Sequence, residues 1–258
     1  MSAPVFLAEG DILAHLGAGD TYLLDGAEGR HAGVVQRRRA GEHLDVVDGR
    51  GLRLRCEIVS VHAAEVELRV LERVDEGLDA PCLVLAQALA KGDRDEMAIE
   101  AATEAGADGF VPWQAARSIV VWRGDRAAKS RARWIATVRA AAKQSRRALV
   151  PEVFDPVETR GLAARVAQVC ADGGAALVLH EEASVPIAAC ALPAEGSDTE
   201  ILVVVGPEGG ITADEVDRLR EAGAQPVRLG PHVLRTSTAG PLAIAALAQR
   251  LGRWEPRP

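Results

Sequence analysis

The stretch Ile201-Leu202-Val203-Val204-Val205-Gly206-Pro207-Glu208-Gly209-Gly210-Ile211-Thr212-Ala213-Asp214-Glu215 decides the fold. Its first five residues are a continuous apolar run, which fits a strand covered on both faces, as in a parallel sheet. A glycine-rich loop follows. Thr212, with Glu215 three residues later, is a capping-box pattern that starts a helix, and Gly223 ends it. Strand, loop and helix in that order form the unit of an α/β layer domain.

The same rhythm extends in both directions. Apolar strands are predicted over Cys82-Leu83-Val84-Leu85-Ala86, Gly109-Phe110-Val111-Pro112 and Ala175-Ala176-Leu177-Val178-Leu179, with a shorter one over Pro226-Val227-Arg228-Leu229. Helices are predicted over 93–105, over a basic stretch at 127–147, and over 239–251. The first 74 residues read differently. Tyr22-Leu23-Leu24, His43 to Val47, Leu52 to Val59 and Glu65 to Val70 are short, partly alternating and separated by turn residues such as Asp48-Gly49-Arg50-Gly51. With one helix at 29–39, that pattern suits a small β-barrel. The boundary falls at Asp75-Glu76-Gly77, which gives a β domain over 1–74 and an α/β domain over 75–258.

The chain has 258 residues, 48% of them hydrophobic and 26% charged, a composition that excludes wholesale disorder. No stretch approaches the roughly 20 apolar residues of a membrane span. The start, MSAPVFLAEGDIL, lacks a basic region followed by a long apolar one, so a cytoplasmic location is expected. Cys56, Cys82, Cys170 and Cys190 are far apart and read as free thiols. The six histidines lack metal-ligand spacing, so no metal is expected. The formal net charge is -7, but residues 114–147 alone carry ten basic groups against Asp125. Such a field can hold a polyanion. It can equally be a solvated helix face paired with acids elsewhere. Arg37-Arg38-Arg39 form a second basic cluster.

Two loops stand at the carboxyl ends of predicted parallel strands, where open α/β sheets bind ligands: Gly206 to Ile211, and Gly230-Pro231-His232-Val233-Leu234-Arg235-Thr236-Ser237-Thr238. The first is not a P-loop, because no Gly-Lys-Ser/Thr follows, and it lacks the dinucleotide Gly-x-Gly-x-x-Gly fingerprint. The absence of Gly-x-Ser-x-Gly removes the commonest α/β-hydrolase reading. A Gly-Pro-Glu-Gly-Gly loop alone reads as readily as a tight turn. His180 and Glu181 follow the strand 175–179 and are either ligand-facing or simply polar loop. Glu208 reads as a proton-transfer group, a helix cap or a support of its turn.

Taken together, these segments resemble the 16S ribosomal RNA uracil-N3 methyltransferase family of the SPOUT class. The similar stretches are Gln87 to Asp93, Ala102 to Gly106, Arg117-Ser118, Gln144 to Arg147 with Val150-Pro151-Glu152, Gly206 to Gly210, and Leu229 to Thr236. His31, Val34-Val35, Arg37 and Gly41-Glu42 resemble the family's N-terminal motif. The resemblance covers nearly the whole chain in order. It implies a PUA-like RNA-binding N-terminal domain, a C-terminal α/β domain with a trefoil knot, and a homodimer. It also implies methyl transfer from S-adenosylmethionine to a uridine of 16S rRNA in the small ribosomal subunit. Leu179, His180, Glu181, Gly206, Glu208, Gly209, Leu229, Gly230, Val233, Leu234 and Thr236 would bind the cofactor. Arg235 would be catalytic. Arg37, Arg38, Arg117, Arg146 and Arg147 would contact RNA. Two departures stand out: Ser237 replaces a glutamate common in the family, and the family's early arginine is missing from Ala3-Pro4-Val5-Phe6. The competing readings are a SPOUT methyltransferase for another RNA, and an RNA-binding ribosome assembly factor without catalysis, which Ser237 favours.

Overall fold

A computed structural model describes residues 3–255. The ends of the two expected domain ranges, residues 1–2 and 256–258, lie outside the described residues. The chain divides into two compact units, 1–78 with 142–150, and 79–141 with 151–258. The segment 142–150, expected from sequence to belong wholly to the α/β domain, is thus part of the first unit.

In the first unit, β1 (Val5–Leu7), β2 (Thr21–Leu24), β3 (His43–Val47), β4 (Leu52–His62) and β5 (Glu65–Asp75) pair in the order β1-β3-β4-β5-β2. The β1–β3 pair is parallel and the others are antiparallel. Alternation puts Leu52, Leu54, Cys56 and Ile58 of β4 into one core with Val66, Leu68 and Val70 of β5. The expected helix at 29–39 is instead α1 (Gly26–Arg30) and one wide turn over His31–Val35, closed by the Gln36 N–H on the His31 carbonyl at 2.8 Å. Arg37 follows with φ of 54°, so the triple-arginine segment lies beyond the helical turn.

The second unit contains a seven-stranded sheet among the described residues. Its elements are β6 (Cys82–Ala88), α2 (Arg94–Ala105), β7 (Gly109–Gln114), α3 (Asp125–Gln144, whose residues 142–144 fall in the first unit), β8 (Glu152–Val153) and β9 (Val157–Glu158). They continue as α4 (Thr159–Ala171), β10 (Ala175–Leu179), β11 (Glu200–Val205), α5 (Ala213–Glu221), β12 (Gln225–Val227) and α6 (Thr236–Arg250). Strand order is β12-β10-β11-β6-β7-β8, with β9 also on β7, and every pair is parallel. The α/β class expected from the apolar runs is therefore present. The central strands are covered on both faces. Val84, Ala86 and Ala88 of β6 join Leu162 and Val166 of α4 and Leu219 of α5 in one core. Leu85 and Gln87 face α6, where Gly240 lets the helix approach: a Cβ there would sit 2.8 Å from Leu85 Cδ2.

Two expected helix bounds need correction. The basic helix ends at Gln144 rather than 147, and Arg146 takes a left-handed φ of 61° just past its end. The last helix begins at Thr236 rather than 239, because the Arg235 carbonyl accepts from the Thr238 and Ala239 N–H groups at 2.9 and 3.0 Å. The sequence patterns do not predict helix α4. Among the described residues no helix is long and apolar enough to cross a membrane.

Candidate ligand cavity at the strand ends

Strands β12, β10 and β11 lie side by side and run the same way, so the segments leaving them share one sheet edge. The register sets Leu179 against Val227 and Val205 against Gln87. The loops after the three strands enclose a cavity of about 780 Å³. Its lining includes each of the eleven residues expected to bind a cofactor, and Arg235. Arg94, Arg117, Arg228 and His232 also line it. Arg94 stands in no motif that sequence reasoning singles out, and only the fold brings it here; Arg228 is read from sequence only as part of the strand that leads into the third loop.

The first wall begins with His180, whose N–H donates to the Val227 carbonyl at 3.0 Å and so prolongs the β10–β12 pairing. Its ring Nδ1 accepts the Glu182 N–H at 3.3 Å. That bond assigns the proton of a neutral ring to Nε2.

The second wall is the loop 206–210. Only glycine fits at Gly206, since a Cβ would meet Ile211 Cγ1 at 2.5 Å. Gly210 has φ of 73° and closes the turn by donating to the Pro207 carbonyl at 2.9 Å. Arg117 Nη1 donates to the Gly209 carbonyl at 2.9 Å. Glu208 Oε1 accepts from Arg94 Nη1 at 2.8 Å and from the Lys91 N–H at 3.2 Å. Partial burial, the largest single influence, pushes the Glu208 pKa up. Hydrogen bonds from its own backbone N–H, from Arg94 and from Lys91 outweigh it and hold the carboxyl below its ordinary value. Of the three roles open to Glu208, the geometry supports the one that fixes its turn.

The third wall runs from Leu229 to Thr236. Thr236 Oγ1 donates to the Gly206 carbonyl at 2.8 Å and accepts from Gln87 Nε2 at 2.9 Å. This joins the second and third walls to the central strand. Arg235 stands at the N-cap of α6, exposed, with no hydrogen-bond partner for its guanidinium among the described residues. Ser237 lies in the first turn of that helix.

Beneath the second wall, buried Glu215 clips three elements together. Its Oε2 accepts from the Thr212 N–H at 3.1 Å and the Thr212 hydroxyl at 2.9 Å, completing the capping box foreseen from sequence. Its Oε1 accepts from the Ala116 N–H at 2.8 Å and the Thr159 hydroxyl at 2.7 Å.

Comparison with known proteins now identifies the chain's relatives. The RNA methyltransferase domain family matches residues 79–248. A ribosomal RNA small subunit methyltransferase E of Mycobacterium bovis is 47% identical over 92% of this chain and 89% of its own length. The Bacillus subtilis protein of the same name is 36% identical over 88% and 90%.

This chain belongs to the ribosomal RNA small subunit methyltransferase E family.

A solved structure of a family member, from Neisseria gonorrhoeae and bound to S-adenosylmethionine, superposes with a TM-score of 0.82. It is 28% identical and covers 96% of this chain and 98% of its own.

The basic segment resolves into two kinds of residue. Arg131 donates to the Val153 and Phe154 carbonyls, and Arg133 pairs with Glu96 and Asp93. Lys143 sits 2.6 Å from Glu28. These three serve the fold. Arg123, Arg126 and Lys129 are exposed and make no hydrogen bond or ion pair among the described residues. Arg146 is exposed and Arg147 half-buried. Arg37 is exposed, while Arg38 is partly engaged with Glu42 at 3.3 Å. All four cysteines are free, and burial pushes the Cys56 thiol up to about 12.

Proposed function

We propose that this chain transfers a methyl group from S-adenosylmethionine to N3 of a uridine in the 16S rRNA of the small ribosomal subunit. The observation that carries the reading is the cavity at the three strand ends, in a chain 47% identical to a named rRNA methyltransferase. The donor set fits the cofactor. Backbone amides and carbonyls of 206–210 and 229–236 suit adenine and ribose, and Leu179, Val205 and Leu234 give an apolar lining for the ring. The volume falls within the roughly 300–1,000 Å³ of small-molecule sites. When bound, the cofactor supplies an electrophilic methyl group on a sulfonium.

The chain's own residues do the rest. The acceptor is the harder half, because uracil N3 holds its proton with a pKa of about 10, by analogy with a phenol. Arg235 would stabilise the anion left on the base as the N3 proton passes to solvent. The positive end of the α6 dipole, at whose N-cap it stands, adds to that field. The pinned loops fix the line between donor and acceptor, and proximity supplies much of the rate. Glu208, held ionised by Arg94 and Lys91, serves the loop rather than the proton.

The same reading makes the first unit a PUA-like barrel that binds RNA, gives the second unit a knotted chain path through its last loops and helix, and makes the working form a cytoplasmic homodimer without metal. Arg37, Arg38, Arg117, Arg146 and Arg147 would contact RNA, mainly at phosphates. Charge reversal at Arg146 and Arg147 tests this. Binding to 16S RNA should weaken, and the slope of log affinity against log salt should fall by about two if each arginine meets one phosphate. An unaltered slope would make that segment a solvated surface. Titration calorimetry with S-adenosylmethionine tests the cofactor half, and failure to bind it would remove this reading.

A further inference from the structure

Gln87 is fully buried near the end of β6, on the face toward α6. Its Nε2 donates to Thr236 Oγ1 at 2.9 Å and to the Ala88 carbonyl at 3.3 Å. The Thr236 hydroxyl has one proton, and that proton goes to the Gly206 carbonyl at 2.8 Å. Thr236 must therefore accept from Gln87, which fixes the orientation of the amide. The consequence is an orphan: Gln87 Oε1 is buried without a hydrogen-bond donor among the described residues. A buried carbonyl left unpaired is unfavourable, and an apolar side chain of the same shape would avoid it. The glutamine is thus a poor choice for stability and a good one for directing the Thr236 hydroxyl.

Its position explains what that hydroxyl directs. Gly206 opens the second wall of the cavity, and Glu208 is held from the same 87–94 segment by Lys91 and Arg94. The loop is braced at both ends by one stretch of chain. Gln87 itself does not line the cavity.

We propose that Gln87 is a positioning residue for this cavity, acting through the Thr236 hydroxyl to fix the Gly206 carbonyl and the path of the 206–210 loop. This rests on the cavity being the S-adenosylmethionine site. Removing the amide loosens the loop without unfolding the core, so affinity and stability part company. A merely structural residue would lose both.

The test measures S-adenosylmethionine dissociation constants by titration calorimetry, and ligand-free melting temperatures, for four proteins: wild type, Gln87→Met, Thr236→Val and the double variant. Gln87→Met should weaken binding about three- to tenfold, the worth of one net hydrogen bond. Its melting temperature should equal or exceed that of wild type. The double variant should bind about as weakly as Thr236→Val alone, because both changes cut one chain of bonds. Binding by Gln87→Met equal to that of a binding wild type would overturn the inference, as would additive losses in the double variant or a lowered melting temperature. A wild-type protein that binds no S-adenosylmethionine would instead overturn the cofactor reading beneath it.

Discussion

Replacing Arg235 by alanine should lower kcat by about two to three orders of magnitude, the cost of deleting one preorganised anion-stabilising donor. S-adenosylmethionine affinity and melting temperature should stay close to wild type. Both halves of that expectation come from where the residue stands. The guanidinium is exposed at the cavity and makes no hydrogen bond among the described residues, so its removal leaves no partner behind. The backbone at 235, by contrast, starts α6 through its carbonyl, and alanine keeps that bond. An interaction made only as charge develops on the base affects kcat and kcat/KM alike. Stopped-flow or single-turnover methyl transfer, run beside calorimetry, separates the two quantities. An unchanged kcat would remove Arg235 from the chemistry.

The second large effect concerns stability. Glu215→Ala should destabilise the second unit by about 3 kcal/mol, because it removes the charged acceptor of four hydrogen bonds, from the Ala116 and Thr212 N–H groups and the Thr159 and Thr212 hydroxyls. For a unit of this size that is a drop of roughly 6–12 °C in melting temperature. Glu215→Gln, which keeps one acceptor oxygen, should fall between. The pH dependence carries its own signature. Burial, the largest influence, raises the Glu215 pKa, but hydrogen bonds from Ala116, Thr159 and Thr212 outweigh it, and the folded-state pKa lies below the ordinary value. The carboxylate therefore stabilises fully above the unfolded pKa, and its contribution disappears as pH falls through the folded one. Acidification from neutral pH should cost the wild type more stability than Glu215→Gln, a difference that scanning calorimetry across pH reads directly. Equal pH dependence in the two proteins would contradict the assignment.

Much of this molecule is legible in its sequence, for identifiable reasons. The apolar runs at 175–179 and 201–205 are too continuous for half-exposed strands, and both are central in a parallel sheet. Thr212 and Glu215 announced their helix through a capping box that the structure completes. Elsewhere local signals misled. The Ser-Thr run before Gly240-Pro241 looks like a loop, yet α6 starts inside it, because Thr236 is anchored by Gln87 and Gly206 from distant parts of the chain. Helix α4 gives little local signal, because its apolar stripe of Leu162, Val166 and Val169 sits in an alanine-rich stretch that carries little contrast.

The site divides in the same way. Its glycine loops could be found from strand-end topology, but by themselves they did not distinguish a tight turn from a ligand loop. Bringing His180, Gly206 and Arg235 to one cavity required the strand order β12-β10-β11, which no local pattern encodes. Arg94 and Gln87 are more remote still. Their partners lie 114 and 149 residues away in sequence. The basic segment shows the converse. Its summed charge left open a polyanion surface or a helix face paired with acids elsewhere; Arg131, Arg133 and Lys143 follow the second reading, engaged in internal pairs that leave fewer charges free.

The central claim is tested most directly by methyl incorporation. Labelled S-adenosylmethionine and this protein are incubated with small ribosomal subunits from a strain lacking the gene, with naked 16S RNA alongside, and the modified base is mapped by nuclease digestion and mass spectrometry. The account predicts label at N3 of one uridine in the 16S RNA, formed far more slowly by Arg235→Ala. Label on a different base or RNA, or none from a protein that demonstrably binds the cofactor, would contradict it.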